Sequence, residues 1–149
     1  MSINNMNYSK SGLKLTEGFE GLRLQAYQDS AGVWTIGYGH TGAVYQGMEI
    51  TQLQAEQFLL ADVQLAVHCV NQAVTVVLAQ NEFDALVDFV FNVGPGNFVK
   101  STLLKDLNAH NFDDAAKQLL VWNKAGGQVL AGLMHRRTAE AQLFQAPQA

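Results

Sequence analysis

The sequence predicts an α+β protein with most of its mass in helices, and three observations carry that prediction. Phe83, Leu86, Val87, Val90 and Phe91 recur at a 3.6-residue period, and similar spacing returns further along the chain. Only the stretch from Leu22 to His40 reads as paired strands, folded about one turn signal. At 149 residues, with 48% hydrophobic and 15% charged side chains, the chain suits a single globular domain, 1–149, that needs no disulfide or metal staple.

The elements follow in order. Ser9 to Glu20 predicts a short first helix, capped by Ser9 or Ser11 and carrying the apolar pair Leu15 and Phe19. Gly21 stands where a left-handed C-cap glycine belongs. Leu22–Gln28 and Val33–His40 predict two strands joined by Asp29-Ser30-Ala31-Gly32, with Asp first and Gly fourth as a type I turn prefers. In the second strand Trp34, Ile36 and Tyr38 share one face. Val33, Thr35, Gly37 and Gly39 share the other, which is nearly bare and open to a bulky ligand. Thr41 to Ile50 is expected to finish the small sheet.

Thr51 and Gln54 form a capping box for a helix reaching about Val70, with Leu53, Gln57 or Phe58, Leu60 or Ala61, and Leu65 expected on its inner stripe. A second long helix is expected from near Asn81 to Gly94-Pro95-Gly96. Shorter helices follow near Thr102–Asn108 and Asp113–Trp122. Gly126-Gly127 makes a turn, Leu130–Phe144 a last helix, and Ala146–Ala149 a frayed tail.

Composition excludes several functions. Cys69 is the only cysteine, so an internal disulfide, a redox dithiol and a thiolate zinc site are all ruled out, and no metal or cofactor is expected. The N-terminus has neither a basic nor an apolar signal region, and no apolar run approaches 18 residues, so neither a Sec-type signal nor stable membrane anchoring is expected. Net charge is −4, with −6 in residues 1–99 and +2 in residues 100–149. No Lys/Arg stripe suggests nucleic acid. Gly37-Tyr38-Gly39-His40-Thr41-Gly42 spells a dinucleotide fingerprint, but no helix is expected after it, so the match is accidental.

The candidate chemistry lies in Glu20, Asp29 and Thr35. Asp29 follows Glu20 by nine positions, and Thr35 follows Asp29 by six. Glu20 is expected at the negative end of a helix, where the dipole and apolar neighbours disfavour its ionised form, as a general acid requires. Taken singly, the three also suit a solvated helix end, a turn initiator and a strand-forming threonine. Glu17-Gly18 repeats the Glu-Gly dipeptide but lacks the Leu-Arg-Leu that follows Glu20.

Glu20-Gly21-Leu22-Arg23-Leu24, Tyr27, Asp29 and Trp34-Thr35-Ile36-Gly37-Tyr38-Gly39-His40 together resemble the signature of the phage-type lysozymes, glycoside hydrolase family 24. The resemblance continues in Phe83-Asp84-Ala85-Leu86, Phe91-Asn92-Val93-Gly94, Ser101-Thr102-Leu103-Leu104, Trp122, and Gly132-Leu133 with Arg136-Arg137 and Glu140. It covers roughly residues 13 to 144.

It implies a lysozyme-like fold with a small N-terminal β-sheet lobe, a larger helical lobe and a cleft between them. It also implies an endolysin that cleaves the β-1,4 bond between N-acetylmuramic acid and N-acetylglucosamine. Glu20 would be the acid, Asp29 the ionised partner of a water and Thr35 the holder of that water. Inversion would require carboxyl groups about 6.5–9.5 Å apart. Thr41, Phe91 and Ser101 would contact sugar, although Phe91 also suits a core and Ser101 a helix cap. Arg136 is expected to pair with Glu140 at i,i+4.

The implied partners are peptidoglycan glycan strands and a holin-like membrane-permeabilising protein. The chain would be a monomer that accumulates in the host cytoplasm before reaching the wall. A lytic transglycosylase needs neither Asp29 nor Thr35, and a non-catalytic wall-binding module has no need of the three groups together.

Overall fold

The computed structural model describes residues 2–147; Gln148 and Ala149, the end of the expected frayed tail, lie outside the described residues. The chain divides into two compact units, Leu13–Gln64 and Met1–Gly12 together with Leu65–Ala149.

The smaller unit holds most of α1 (Lys10–Glu20), strands β1 (Arg23–Gln28) and β2 (Trp34–Gly37), and α2 (Gln52–Asp62). Ser9 caps α1, its hydroxyl accepting from the Gly12 amide at 3.0 Å. At the other end Gly21 takes φ +73°, and its amide donates to the Glu17 carbonyl at 3.0 Å. β1 and β2 pair antiparallel, with Tyr27 opposite Thr35 and an irregularity between Arg23 and Tyr27. The loop after them does complete the sheet, through a bridge between Gln25 and Glu49.

The second strand is shorter than Val33–His40. Gly37 and Gly39 adopt φ +67° and +84°, so the chain leaves the strand after Gly37, and His40 turns back to bridge Ile36. The bare face at Gly37 does not await a ligand either. A Cβ there would lie 3.3 Å from that of Ala55, so the glycine lets α2 approach the sheet.

The predicted capping box opens α2, with Gln54 N donating to Thr51 Oγ1 and Thr51 N to Gln54 Oε1. The helix is interrupted at Val63, however, and α3 (Gln64–Ala73) follows. The expected inner stripe is also wrong. Leu53, Leu60 and Leu65 are exposed, while Ala55, Leu59, Val63, Ala66, Val67 and Val70 are buried. The largest apolar residues do not mark the inner face, because Ala55 fits against Gly37, where a leucine would not.

In the larger unit α4 (Gln80–Val93) is the centre, with every residue from Phe83 to Val90 buried. Each large apolar side chain buried there is worth about 1.5–3 kcal/mol. Phe89 meets Phe98 and Trp122 edge-on, with centroids 6.3 and 5.7 Å away. Pro95 and Gly96 do not simply end the helix. Pro95 starts the one-and-a-half-turn helix α5 (Pro95–Val99), a position that suits its missing N–H.

Helices α6 (Thr102–Asn108), α7 (Phe112–Val121) and α8 (Ala131–Gln145) match expectation, and α8 packs on both α4 and α7. The turn at Gly126-Gly127 joins two short strands the sequence did not suggest, β3 (Lys124–Ala125) and β4 (Gln128–Val129). The N-terminal segment is fixed to this unit by side chains. Asn4 donates to Val76 O at 2.8 Å and accepts from Leu78 N, while Asn71 exchanges two bonds with the Met6 backbone.

Candidate active site

Four of the predicted site residues, Glu20, Asp29, Thr35 and Thr41, fall in the smaller unit, and Asp29 and Thr35 are joined through one peptide. Asp29 opens the turn, as its position predicted. Its Oδ1 accepts from the amides of Ala31 at 2.8 Å and Val33 at 2.9 Å. Its own amide donates to the Val33 carbonyl at 2.9 Å. Thr35 Oγ1 donates to that same carbonyl, also at 2.9 Å. The Val33 peptide therefore sets Asp29 and Thr35 relative to each other. Asp29 is exposed, and its Oδ2 takes neither of those bonds. Thr35 is buried at the start of β2, with its hydroxyl proton committed.

Glu20 is the last residue of α1 and is half-buried. Its Oε2 lies 3.4 Å from where a Cβ on Gly39 would stand, which brings its carboxyl onto the turn that follows β2. The competing Glu17 is half-buried. Its pKa is raised by burial first and then by the charge of Glu56 on α2, against the opposing Lys14. The same two carboxylates, after burial, raise the pKa of the Tyr38 phenol. Glu17, three positions before the residue at the turn, thus feels the charge of Glu56 on α2.

Beside Thr41, which is exposed, the loop is held by His40. Its Nδ1 lies 2.8 Å from Asp62 Oδ2 and its Nε2 2.9 Å from Gly42 O, and its ring stacks on Phe58 at 4.3 Å. The motif gave His40 but no partner for it. Asp62, 22 residues away at the end of α2, was missed because nothing local marks it.

In the larger unit Phe91 is half-buried, at the point where the run of buried α4 residues ends. Ser101 is buried and caps α6, its hydroxyl accepting from Leu104 N at 3.1 Å and donating to Phe98 O at 2.6 Å. The expected Arg136–Glu140 ion pair is present at i,i+4, but it is longer than the one Arg136 makes with Asp88. Arg136 forks onto Asp88, with Nε and Nη2 each 2.9 Å from a carboxylate oxygen, and is 3.9 Å from Glu140.

Glu140 pairs more closely with Arg137, three residues away: Nη2 donates to Oε2 at 3.1 Å, and Nε approaches Oε1 at 2.7 Å. The second contact is electrostatic only, since neither atom has a hydrogen-bond geometry there. Asp88, fully buried on an apolar helix, could have been flagged from the sequence, because a buried acid there demands a cation. Among the described residues no group of three or more His, Cys, Asp or Glu side chains is arranged to hold a metal ion.

An endolysin of Acyrthosiphon pisum secondary endosymbiont phage 1 is 45% identical over 144 residues, covering 94% of this chain and 99% of that protein. An endolysin of Bacillus phage B103 is 46% identical over 142 residues, 93% of this chain and 54% of that protein, so the chain spans about half its length. The muramidase domain of SpmX from Asticaccaulis excentricus superposes with a TM-score of 0.91 at 40% identity, covering 96% of this chain and all of that one. The phage lysozyme family model matches residues 17–140, from the α1 turn that precedes Glu20 to the buried Glu140, and the chain belongs to that family.

Proposed function

We propose that this chain, a peptidoglycan-cleaving muramidase, hydrolyses the β-1,4 bond between N-acetylmuramic acid and N-acetylglucosamine with inversion at the anomeric carbon. The observation that supports this most directly is the shared Val33 peptide. With its proton donated to the Val33 carbonyl, Thr35 Oγ1 has only lone pairs to offer, so it accepts a hydrogen from a water. Asp29, oriented by two amides on Oδ1, offers Oδ2 to the same water and remains the charged partner of the developing oxocarbenium ion. Glu20 protonates the leaving glycosidic oxygen, a contribution of roughly 10²–10⁴-fold. Thr41, Phe91 and Ser101 contact the sugars. Ser101 does so through the remaining lone pair of a hydroxyl already used as a cap.

The chain acts as a monomer. It accumulates in the host cytoplasm and reaches the wall through a lesion made by a holin-like partner. Among the described residues no helix is long and apolar enough to cross a membrane.

The test is turnover of purified peptidoglycan by the wild type and by Glu20→Gln, with mass spectrometry of the products and NMR of the first-formed anomer. Reducing-end muropeptides of inverted configuration from the wild type, and none from the folded variant, are expected. Anhydro products would move the reaction to a transglycosylase, and binding without turnover would make this a wall-binding module.

A further inference from the structure

β1 does not run straight past β2. Arg23 stands opposite Gly37 and Tyr27 opposite Thr35, so the four steps from Arg23 to Tyr27 match only two on the other strand. The irregularity between them takes up the surplus, and the loop that follows the sheet holds it in place. Ala26 N donates to Met48 O at 2.9 Å, Ile50 N donates to Leu24 O at 3.0 Å, and Gln25 bridges Glu49. Residues four apart on a regular strand are separated by about 13 Å, and those two apart by about 7 Å. The bulge thereby brings Arg23 within reach of Tyr27, and its guanidinium carbon lies 4.3 Å from the centre of that ring. Bulges re-aim side chains in this way beside active sites.

Directly opposed residues share a face of the sheet, so the half-buried Tyr27 stands beside Thr35, which is only 4% exposed. Arg23 is exposed, and among the described residues it makes no ion pair. Its surroundings do not suit the capture of an anion. In residues 13–64 Lys14 is the only other Lys or Arg, against Glu17, Glu20, Asp29, Glu49, Glu56 and Asp62. The charge is used on the ring. We propose that Tyr27 and Arg23 are positioning residues for the reaction: the ring flanks the Thr35 hydroxyl and fixes the side from which a water reaches it, and the guanidinium holds the ring there. This rests on the water-holding role given to Thr35. A hydroxyl opened to bulk solvent holds its water in several arrangements, so loss of the clamp falls on kcat and spares KM.

The experiment is a double-mutant cycle in the full chain, with kcat and KM measured on purified peptidoglycan and folding checked by thermal midpoints. Arg23→Gln should lower kcat roughly threefold, the worth of one exposed cation on a ring, with KM unchanged. Arg23→Lys keeps a cation over the ring and should recover most of that loss. Tyr27→Phe keeps the ring and should turn over at the wild-type rate, whereas Tyr27→Leu should lose on the order of tenfold in kcat. Lys14→Gln, which removes an exposed charge elsewhere on α1, should change neither constant. In a Thr35→Val background, Arg23→Gln and Tyr27→Leu should cause no further loss, because the hydroxyl they serve is gone.

Equal losses with and without the Thr35 hydroxyl would overturn the proposal and leave the role of Thr35 standing. So would a rise in KM at constant kcat, which would make Arg23 or Tyr27 a contact to the glycan, or a Tyr27→Leu variant with wild-type kcat. Full turnover by Thr35→Val would overturn the proposal together with the water-holding role itself, so the two failures are told apart by the background variant alone.

Discussion

Asp29 and Thr35 are tied to one peptide: the carbonyl of Val33 accepts from the Asp29 amide and from the Thr35 hydroxyl, both at 2.9 Å. The Val33 amide returns a bond to Asp29 Oδ1. A turn residue and a strand residue six positions apart thus share a fixed geometry that neither would have alone.

The hydroxyl is therefore expected to matter as an acceptor with a fixed direction. Thr35→Ser keeps both the donor to Val33 and the free lone pairs, and should retain most of kcat. Thr35→Val keeps the shape and loses the hydroxyl, at a stability cost of about 1 kcal/mol. Its kcat on purified peptidoglycan should fall on the order of 10²-fold with KM little changed. A valine variant as active as the serine one would remove Thr35 from the reaction.

Asp29 has an observed role in the turn and a proposed one in the reaction, and substitution can separate them. Asp29→Asn keeps an oxygen to accept from the Ala31 and Val33 amides, so its thermal midpoint should stay close to the wild type. It loses the charge, and turnover should drop by roughly 10²–10⁴-fold. Asp29→Ala loses both, and adds about 1–2 kcal/mol of destabilisation from the two abandoned amides. Calorimetry beside a turnover assay checks the pair. If the asparagine variant lost stability and activity in the same proportion as the alanine one, Asp29 would be a turn residue and nothing more.

The sequence was most informative where local chemistry decides the structure. Ser9, Gly21, Thr51 with Gln54, and Asp29 each act on backbone groups within four residues, and each stands where it was expected. It was least informative where a distant partner decides. The small residues Ala55 and Gly37 make the α2 contact, so counting large apolar residues pointed to Leu53 and Leu60 instead. The same limit applied to ion pairs. Helical spacing suggested Arg136 with Glu140, but Asp88, 48 residues earlier, is the better-placed acceptor. Glu20, Asp29 and Thr35 are proposed from a motif, whereas the peptide joining two of them has no side-chain signature at all.

The Arg136–Asp88 fork is buried on both sides, with side-chain exposures of 6% and 0%. Arg136→Met leaves the Asp88 charge without its main partner and should destabilise the chain by about 3–5 kcal/mol. Adding Asp88→Leu removes the stranded charge and should recover a large part of that loss. Urea midpoints for the two single variants and the double variant measure the coupling. Additive losses would mean that the pair contributes no more than its packing.

Glu140 gives the fold a pH dependence of definite sign. Its folded pKa is raised well above the ordinary 4.5, by burial first, then by a hydrogen bond and the charge from Asp88, with Arg137 and Arg136 opposing. The unfolded chain releases this proton near the ordinary value, while the folded chain keeps it to higher pH. Stability from this group is thus fully present below about pH 4.5 and declines as pH rises toward the folded pKa, by up to about 1.4 kcal/mol per pH unit. Glu140→Gln cannot titrate and lacks that slope. The stability gap between wild type and variant should therefore be largest near pH 4.5 and narrow on the way to pH 7, in urea denaturation at matched ionic strength. A gap that widened over the same interval would mean that Arg137 and Arg136 win over burial, and that Glu140 folds as an anion.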